Sequence, residues 1–280
     1  MRESIAVIIP TFNRKQCLGR ALESVYRQSV TPKVVCVVDD GSHDGTRQFI
    51  QQDFPEVIYC YQSNKGVSSA RNKGVNITES YWLAFLDSDD EWLPNKLEMQ
   101  LHALEIEPET RLIHCDEIWI REGVRVNQMD KHKKSGGYIF DRCLPLCAIS
   151  PSAVLLDRKL FNEVGGFDET LPACEDYDLW LRICSRYPVH YIDQPLLHKY
   201  GGHDDQLSGK HWGMDRFRVQ ALEKILNSSR LNSEQYRSAT ATLIEKSEIL
   251  MNGAKKRNNA VRVNYYQGLI EKYSARHLEP

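Results

Sequence analysis

Tyr81-Trp82-Leu83-Ala84-Phe85-Leu86-Asp87-Ser88-Asp89 is an apolar run that stops on two acids separated by one residue. A short apolar run bounded by polar turn-formers reads as a buried strand. Side chains at i and i+2 of a strand share a face, so the two carboxylates converge where the strand ends. Hard divalent cations such as Mg²⁺ or Mn²⁺ take one or two carboxylates from a protein and complete their shell with water and phosphate oxygens. The pair therefore suits a cation-held diphosphate. A solvated acidic turn from Asp87 to Glu91 fits the same residues, and the surroundings have to decide.

Outward from this run, the first hundred residues alternate β-branched stretches with amphipathic ones, the pattern of βαβ units and a mostly parallel sheet. Strands are expected at Ile5–Ile9, Val34–Val38, Val57–Tyr61 and Trp82–Leu86, with helices near Lys15–Gln28, Gly45–Gln52, Val67–Ile77 and Pro94–Leu104. Ligands of open parallel sheets bind outside the carboxyl ends of the strands. The residues there are Pro10-Thr11, Asp39-Asp40-Gly41-Ser42, Asn64-Lys65-Gly66 and Asp87-Ser88-Asp89.

Beyond Leu112 the pattern mixes β-like pieces, Leu112–Ile120 and Val154–Leu156, with a lysine-rich insertion at Lys131–Gly137 that reads as a solvated loop of open role. Helical spacing returns over Asp178–Tyr187, behind the acids Glu175 and Asp176, and a strand is expected at Val189–Ile192. From Trp212 the composition is helical to the end. The division expected is a domain over 1–208, with halves at about 1–110 and 111–208, and a helical extension over 209–280.

Net charge of −2 gives no general attraction to nucleic acid or acidic membranes. Met1-Arg2-Glu3-Ser4 leads into the first strand without a signal-type apolar segment, and no stretch is long and apolar enough to span a bilayer. A cytoplasmic protein is expected, with peripheral attachment at the inner face of the membrane also open. Eight scattered cysteines, without Cys-x-x-Cys or zinc-type spacing, read as reduced core residues.

Individual residues allow two readings each. Asp39-Asp40 ends a strand in a tight turn, where a carboxylate can accept from a nucleobase N–H or simply close an Asx-type turn. Arg71, in the first turns of the third helix, suits a nucleotide or plain surface. Glu175-Asp176 could supply a general base for an acceptor hydroxyl, or cap the next helix. His203, in a loop after the Val189–Ile192 strand, could add a metal ligand, with His198 and His211 as competitors of the same kind.

Taken together the motifs resemble the family 2 glycosyltransferases of GT-A fold. The matching blocks are Val7-Ile-Ile-Pro-Thr-Phe-Asn-Arg14, Val37-Val-Asp-Asp-Gly-Ser42, Asn64-Lys-Gly66 with Ala70-Arg-Asn-Lys-Gly74, Phe85-Leu-Asp-Ser-Asp-Asp-Glu-Trp92 and Cys174-Glu-Asp-Tyr-Asp-Leu-Trp-Leu-Arg182. They cover about two-thirds of the chain in the family's order. The resemblance implies an α/β, Rossmann-like, mostly parallel sheet flanked by helices. It further implies a nucleotide-sugar donor, usually UDP-linked, a divalent metal (Mn²⁺ or Mg²⁺), inversion at the anomeric carbon and a saccharide or lipid-linked glycan acceptor. By the same resemblance Pro10, Thr11 and Asp39 form the uridine pocket and Arg71 contacts the nucleotide. Asp89 ligates the metal, Asp87 lies nearer the ribose and shares the metal motif, and Asp176, with Glu175 beside it, is the base. His203 corresponds to a downstream histidine used by some members. Asn13, Asp40, Asn64, Gly66 and Ser88, inside the same blocks, complete the expected donor-binding set.

The resemblance points to cell-surface polysaccharide or lipopolysaccharide synthesis. The membrane helices and Gln-x-x-Arg-Trp motif of processive synthases are absent, so one transfer per encounter is expected. A catalytically silent sugar-nucleotide- or partner-binding module is the main alternative. An Asp-x-Asp phosphotransferase is disfavoured by Glu91 where a threonine or valine is needed, and a nucleotidyltransferase by the lack of a glycine-rich basic loop after the first strand. Lys255–Arg257 and Tyr265-Tyr266 suit a solvated helix face, loose membrane attachment or a homodimer through the tail.

Overall fold

The computed structural model describes residues 4–202 and 213–277. Its frame is one nine-stranded sheet with the order β3-β2-β1-β4-β8-β6-β9-β5, and β7 added beside β6. The first four strands, β1 (Ile5–Thr11), β2 (Val34–Asp39), β3 (Ile58–Tyr61) and β4 (Trp82–Phe85), are parallel. The remaining strands are β5 (Glu91–Trp92), β6 (Leu112–Arg121), β7 (Val124–Val126), β8 (Leu155–Asp157) and β9 (His190–Gly201). β8 runs antiparallel to both β4 and β6, while β9 is parallel to β6.

Alternation along the buried strands explains the layers. Ile5, Val7 and Ile9 of β1 face a core shared with helices α1 (Lys15–Tyr26), α2 (Thr46–Asp53) and α4 (Lys96–Ile106). Ala6 and Ile8 point the other way. On that side lie α3 (Val67–Ile77), α5 (Phe140–Cys143), α6 (Arg158–Val164) and α7 (Glu175–Cys184). The tail helices α8 (Asp215–Leu226), α9 (Ser233–Lys256) and α10 (Ala260–His277) contribute Leu222, Leu243 and Tyr273 to the same core. Among the described residues no helix is long and apolar enough to cross a membrane.

The early elements lie within a few residues of expectation, and α3 matches at both ends. Two regions differ. The strand expected at Val189–Ile192 continues to Gly201 through Pro195, which lacks an N–H. The β6–β9 register shifts around Asp116, paired with Pro195, and this irregularity accommodates the proline. Lys134, read as part of a solvated loop, is buried and paired with Glu117 at 3.2 Å, because the loop folds back over β6.

Candidate active site

The carboxyl ends of β1 and β4, the loop after β2, the amino ends of α3 and α7 and the far end of β9 enclose a cavity of about 430 Å³. Pro10 and Thr11 form one wall, and Thr11 Oγ1 is buried without a hydrogen-bond partner among the described residues. Asp40 Oδ1 accepts from Gln62 Nε2 (2.7 Å) and the Lys65 amide (2.8 Å), and Oδ2 accepts from the Gly66 amide (2.8 Å). One carboxylate thus joins the end of β2 to the start of α3. Gly66 takes φ 91°, a conformation a side chain would strain, and leaves the cavity floor open.

Arg71, 3% exposed, bridges two acids: Nη2 donates to Asp87 Oδ1 at 2.6 Å and Nη1 to Glu175 Oε1 at 2.7 Å. Burial pushes the Asp87 carboxyl up, but the Arg71 charge outweighs it and holds the group below its ordinary range. Glu175 goes the other way. Burial and then the charge of Asp176 raise it to about 7, against the pull of Arg71.

Asp89 Oδ2 accepts from Arg14 Nη1, and its carbonyl accepts from Arg20 Nη2 at 2.6 Å. Asp87 Oδ2 and Asp89 Oδ1 take no hydrogen bond among the described residues. Two carboxylates, each with a spare oxygen on one cavity, fit a hard cation that draws the rest of its shell from phosphate and water. Asp90, third acid of the run, accepts from Ser152 Oγ (2.6 Å) and the Tyr200 amide (3.1 Å). Burial, then the charges of Asp89 and Asp87, raise its pKa well above normal. Asp90 therefore anchors the loop, locking β4 to β9.

Asp176 sits in the first turn of α7, two residues after Cys174, which holds the left-handed conformation (φ 61°). Its Oδ2 accepts from Cys147 Sγ at 3.1 Å and its Oδ1 from the Tyr177 amide at 2.7 Å. Neither bond caps the helix through Cys174, the residue at the cap. Asp176, Lys199 and Tyr200 also line a second cavity of about 330 Å³, walled by β6, the end of β9 and the 146–150 segment. The acid stands where the two cavities meet.

Of the expected site residues, Pro10, Thr11, Asp40, Asn64, Gly66, Arg71, Asp87, Ser88, Asp89, Glu175 and Asp176 gather at the first cavity. Asp39 and Asn13 do not line it. Asp39 is still in the β2 ladder, and its Oδ2 accepts from Tyr59 Oη (2.6 Å) while Oδ1 closes the turn on the Ser42 amide (2.8 Å). Asn13 Oδ1 accepts from the His43 amide (2.9 Å), tying two loops together. His203 lies outside the described residues, and its competitor His198 faces Glu91 at 3.5 Å. Arg14, Cys147, Lys199 and Tyr200 were missed. Arg14 stood inside a quoted motif, whereas Lys199 and Cys147 carry no local signal.

This is a GT-A architecture. The structure of Staphylococcus aureus TarS residues 1–349, solved in complex with UDP-GlcNAc, superposes with a TM-score of 0.64 at 17% identity, over 97% of this chain and 92% of that one. The Glycosyl transferase family 2 model matches residues 6–164, and the chain belongs to that family. An uncharacterised glycosyltransferase of Rickettsia conorii is 32% identical over 221 residues, 74% of this chain and 35% of the relative. Chondroitin synthase of Escherichia coli is 26% identical over 85% of this chain and 34% of that protein. The UDP-Glc:alpha-D-GlcNAc-diphosphoundecaprenol beta-1,3-glucosyltransferase of Escherichia coli is 30% identical over 64% and 69% respectively. The chain spans about a third of the length of the first two curated relatives it matches, 35% of each.

Proposed function

We propose that the chain transfers a sugar, with inversion, from a nucleotide-sugar, UDP-linked, to a hydroxyl of a glycan acceptor in cell-surface polysaccharide assembly. The observation that carries this is the position of Asp176 on the wall between two cavities, one of which presents Asp87 and Asp89. The nucleotide-sugar class is supported by the TarS complex, and the glycan acceptor by the activities for which the two Escherichia coli relatives are named.

In this reading the first cavity holds the donor, with Pro10 and Thr11 as the wall beside the nucleoside. Asp87 and Asp89 would hold Mg²⁺ or Mn²⁺ together with the diphosphate oxygens, and a bound cation supplies positive charge there. Arg71 holds the Asp87 carboxylate below its ordinary range, and Arg14 orients that of Asp89. The acceptor hydroxyl enters from the second cavity. Asp176 takes its proton as the oxygen bonds to the anomeric carbon, and the bond from that carbon to the diphosphate oxygen breaks with its electron pair leaving on the nucleoside diphosphate. Glu175 positions Arg71, its partner at 2.7 Å, rather than touching the substrate. Residues 1–208 would form the catalytic unit with the tail buttressing it, and the exposed Lys255–Arg257 cluster would serve any loose contact with the inner membrane face.

Calorimetric titration with UDP tests the donor assignment, first with Mn²⁺, then with the metal chelated, then on Asp89→Ala. Binding that requires both metal and Asp89 is expected. Metal-independent binding would remove the cation from the reading, and no binding in any condition would favour a silent fold.

A further inference from the structure

The second cavity has a charge pattern that the transfer reaction itself does not require. Glu117, Trp119 and Arg121 occupy alternate positions of β6 and so share a face, and Lys199 of β9 lies in register with Trp119. Four cations, Arg121, Lys134, Lys199 and Arg218, line the cavity against two carboxylates, Glu117 and Asp176. Glu117 is engaged by the buried Lys134 at 3.2 Å. Arg218 is met at 2.8 Å by Asp215, and its Nε has no hydrogen-bond partner among the described residues. Arg121 meets no carboxylate among the described residues; its guanidinium carbon lies 5.9 Å from the Trp119 ring centre. Lys199 donates to the Ser150 hydroxyl and stands 4.0 Å from Glu117. In a chain of net charge −2 this is a local positive excess beside the proposed base.

Trp119 supplies the other half of the pattern. Its Nε1–H donates to Glu117 Oε1 at 2.8 Å, which pins a half-buried indole, flanked by His132 at 5.0 Å between ring centres, as an aromatic surface of the kind a pyranose ring packs on. A neutral sugar on that surface would leave Arg121 without a carboxylate partner among the described residues. An anionic one would gain charge-assisted hydrogen bonds from a forked guanidinium and an ammonium.

We infer that the acceptor is an anionic saccharide, whose carboxylate or phosphate is held by Arg121 and Lys199 while its ring lies on Trp119 and its hydroxyl reaches Asp176. This rests on the two-cavity reading above. The test is calorimetric titration of the full chain, saturated with UDP and Mn²⁺, with three probes. They are a disaccharide ending in a uronic acid, the same disaccharide with that carboxyl reduced to an alcohol, and a sugar phosphate. One acidic probe should bind at least about tenfold more tightly than the neutral one, as one charged hydrogen-bond pair suffices for that factor. Arg121→Ala should erase the preference and Arg121→Lys should restore part of it, while UDP affinity reports whether each variant's donor cavity is intact. Preference for the uronate assigns a uronic-acid acceptor, and preference for the phosphate a phosphorylated or lipid-diphosphate-linked one. Equal affinity for acidic and neutral probes, or no binding of any probe while UDP binds, overturns the inference. Failure of UDP to bind strikes the donor reading instead, and the acid-against-neutral comparison then decides on the protein alone.

Discussion

At the scale of the residue, Asp176 is the group on which the proposed chemistry turns. Its two oxygens accept from a thiol and an amide, which fixes the carboxylate without adding a neighbouring ammonium or guanidinium bond. A general base contributes about 10²–10⁴-fold in rate, so Asp176→Asn should lower turnover by that order. The amide is nearly isosteric, and UDP affinity should stay within a few-fold. Steady-state transfer rates alongside UDP titration check both, and unchanged turnover would exclude Asp176 as the base. The residue pattern placed this acid beside Glu175 without separating their roles, and only the family resemblance singled out Asp176 as the base. The separation comes from Arg71, 104 positions earlier, which takes Glu175 as a partner.

At the scale of the element, the loops that carry the site are held by the packing of α3 on β1 and β2. Gly74 makes that packing close: a Cβ there would sit 2.5 Å from Ile8 Cγ2 and 3.2 Å from Val38 Cγ2. Alanine favours a helix by about 1 kcal/mol over glycine, but overpacking a tight core costs about 1–3 kcal/mol. The 2.5 Å approach puts the overpacking cost at the top of that range, so Gly74→Ala should lose about 2 kcal/mol net, read as a lower urea midpoint with unchanged slope. A variant as stable as its parent would show that α3 can lift from the sheet freely. The βαβ half was legible because each segment declares its own period and its own punctuation. β9 was legible only in its first residues, because Pro195 reads as a strand breaker until the irregular pairing with β6 is known. β5 has two residues and no periodicity to read.

At the scale of the whole molecule, the tail helices and the α/β body share one apolar core, and α9 braces the segment leading into the second cavity's wall by donating Lys246 Nζ to the Pro145 carbonyl at 2.8 Å. Stability should carry the signature of the buried acid at the centre. Glu175 has its pKa raised from 4.5 to about 7, so the folded state binds that proton more tightly than the unfolded chain. Its contribution is fully present below about pH 4.5 and is lost as pH rises through 7. His114, lowered to about 3 by burial, works in the opposite direction, with stability lost as pH falls below 6.5. Comparing parent with Glu175→Gln cancels that term. The variant should gain stability relative to the parent between pH 5 and pH 8 in urea unfolding, and a gap that is constant with pH would contradict the assignment.

Local pattern determined the first four strands, the helices between them and the acids at their carboxyl ends, because burial periodicity and turn chemistry are properties of neighbouring residues. It placed Asp87 and Asp89 together because they are two positions apart, although β4 ends at Phe85 and both acids lie in the turn that follows it. What it left open was partnership across the chain. The pairing of Asp39 with Tyr59, the bridge from Arg71 to Asp87 and Glu175, and the joining of Trp119, Arg121, Cys147 and Lys199 around a second cavity were decided only by the tertiary structure. The first depends on the β2–β3 pairing and the last on the β6–β9 register, where a one-residue slip would turn each side chain to the opposite face.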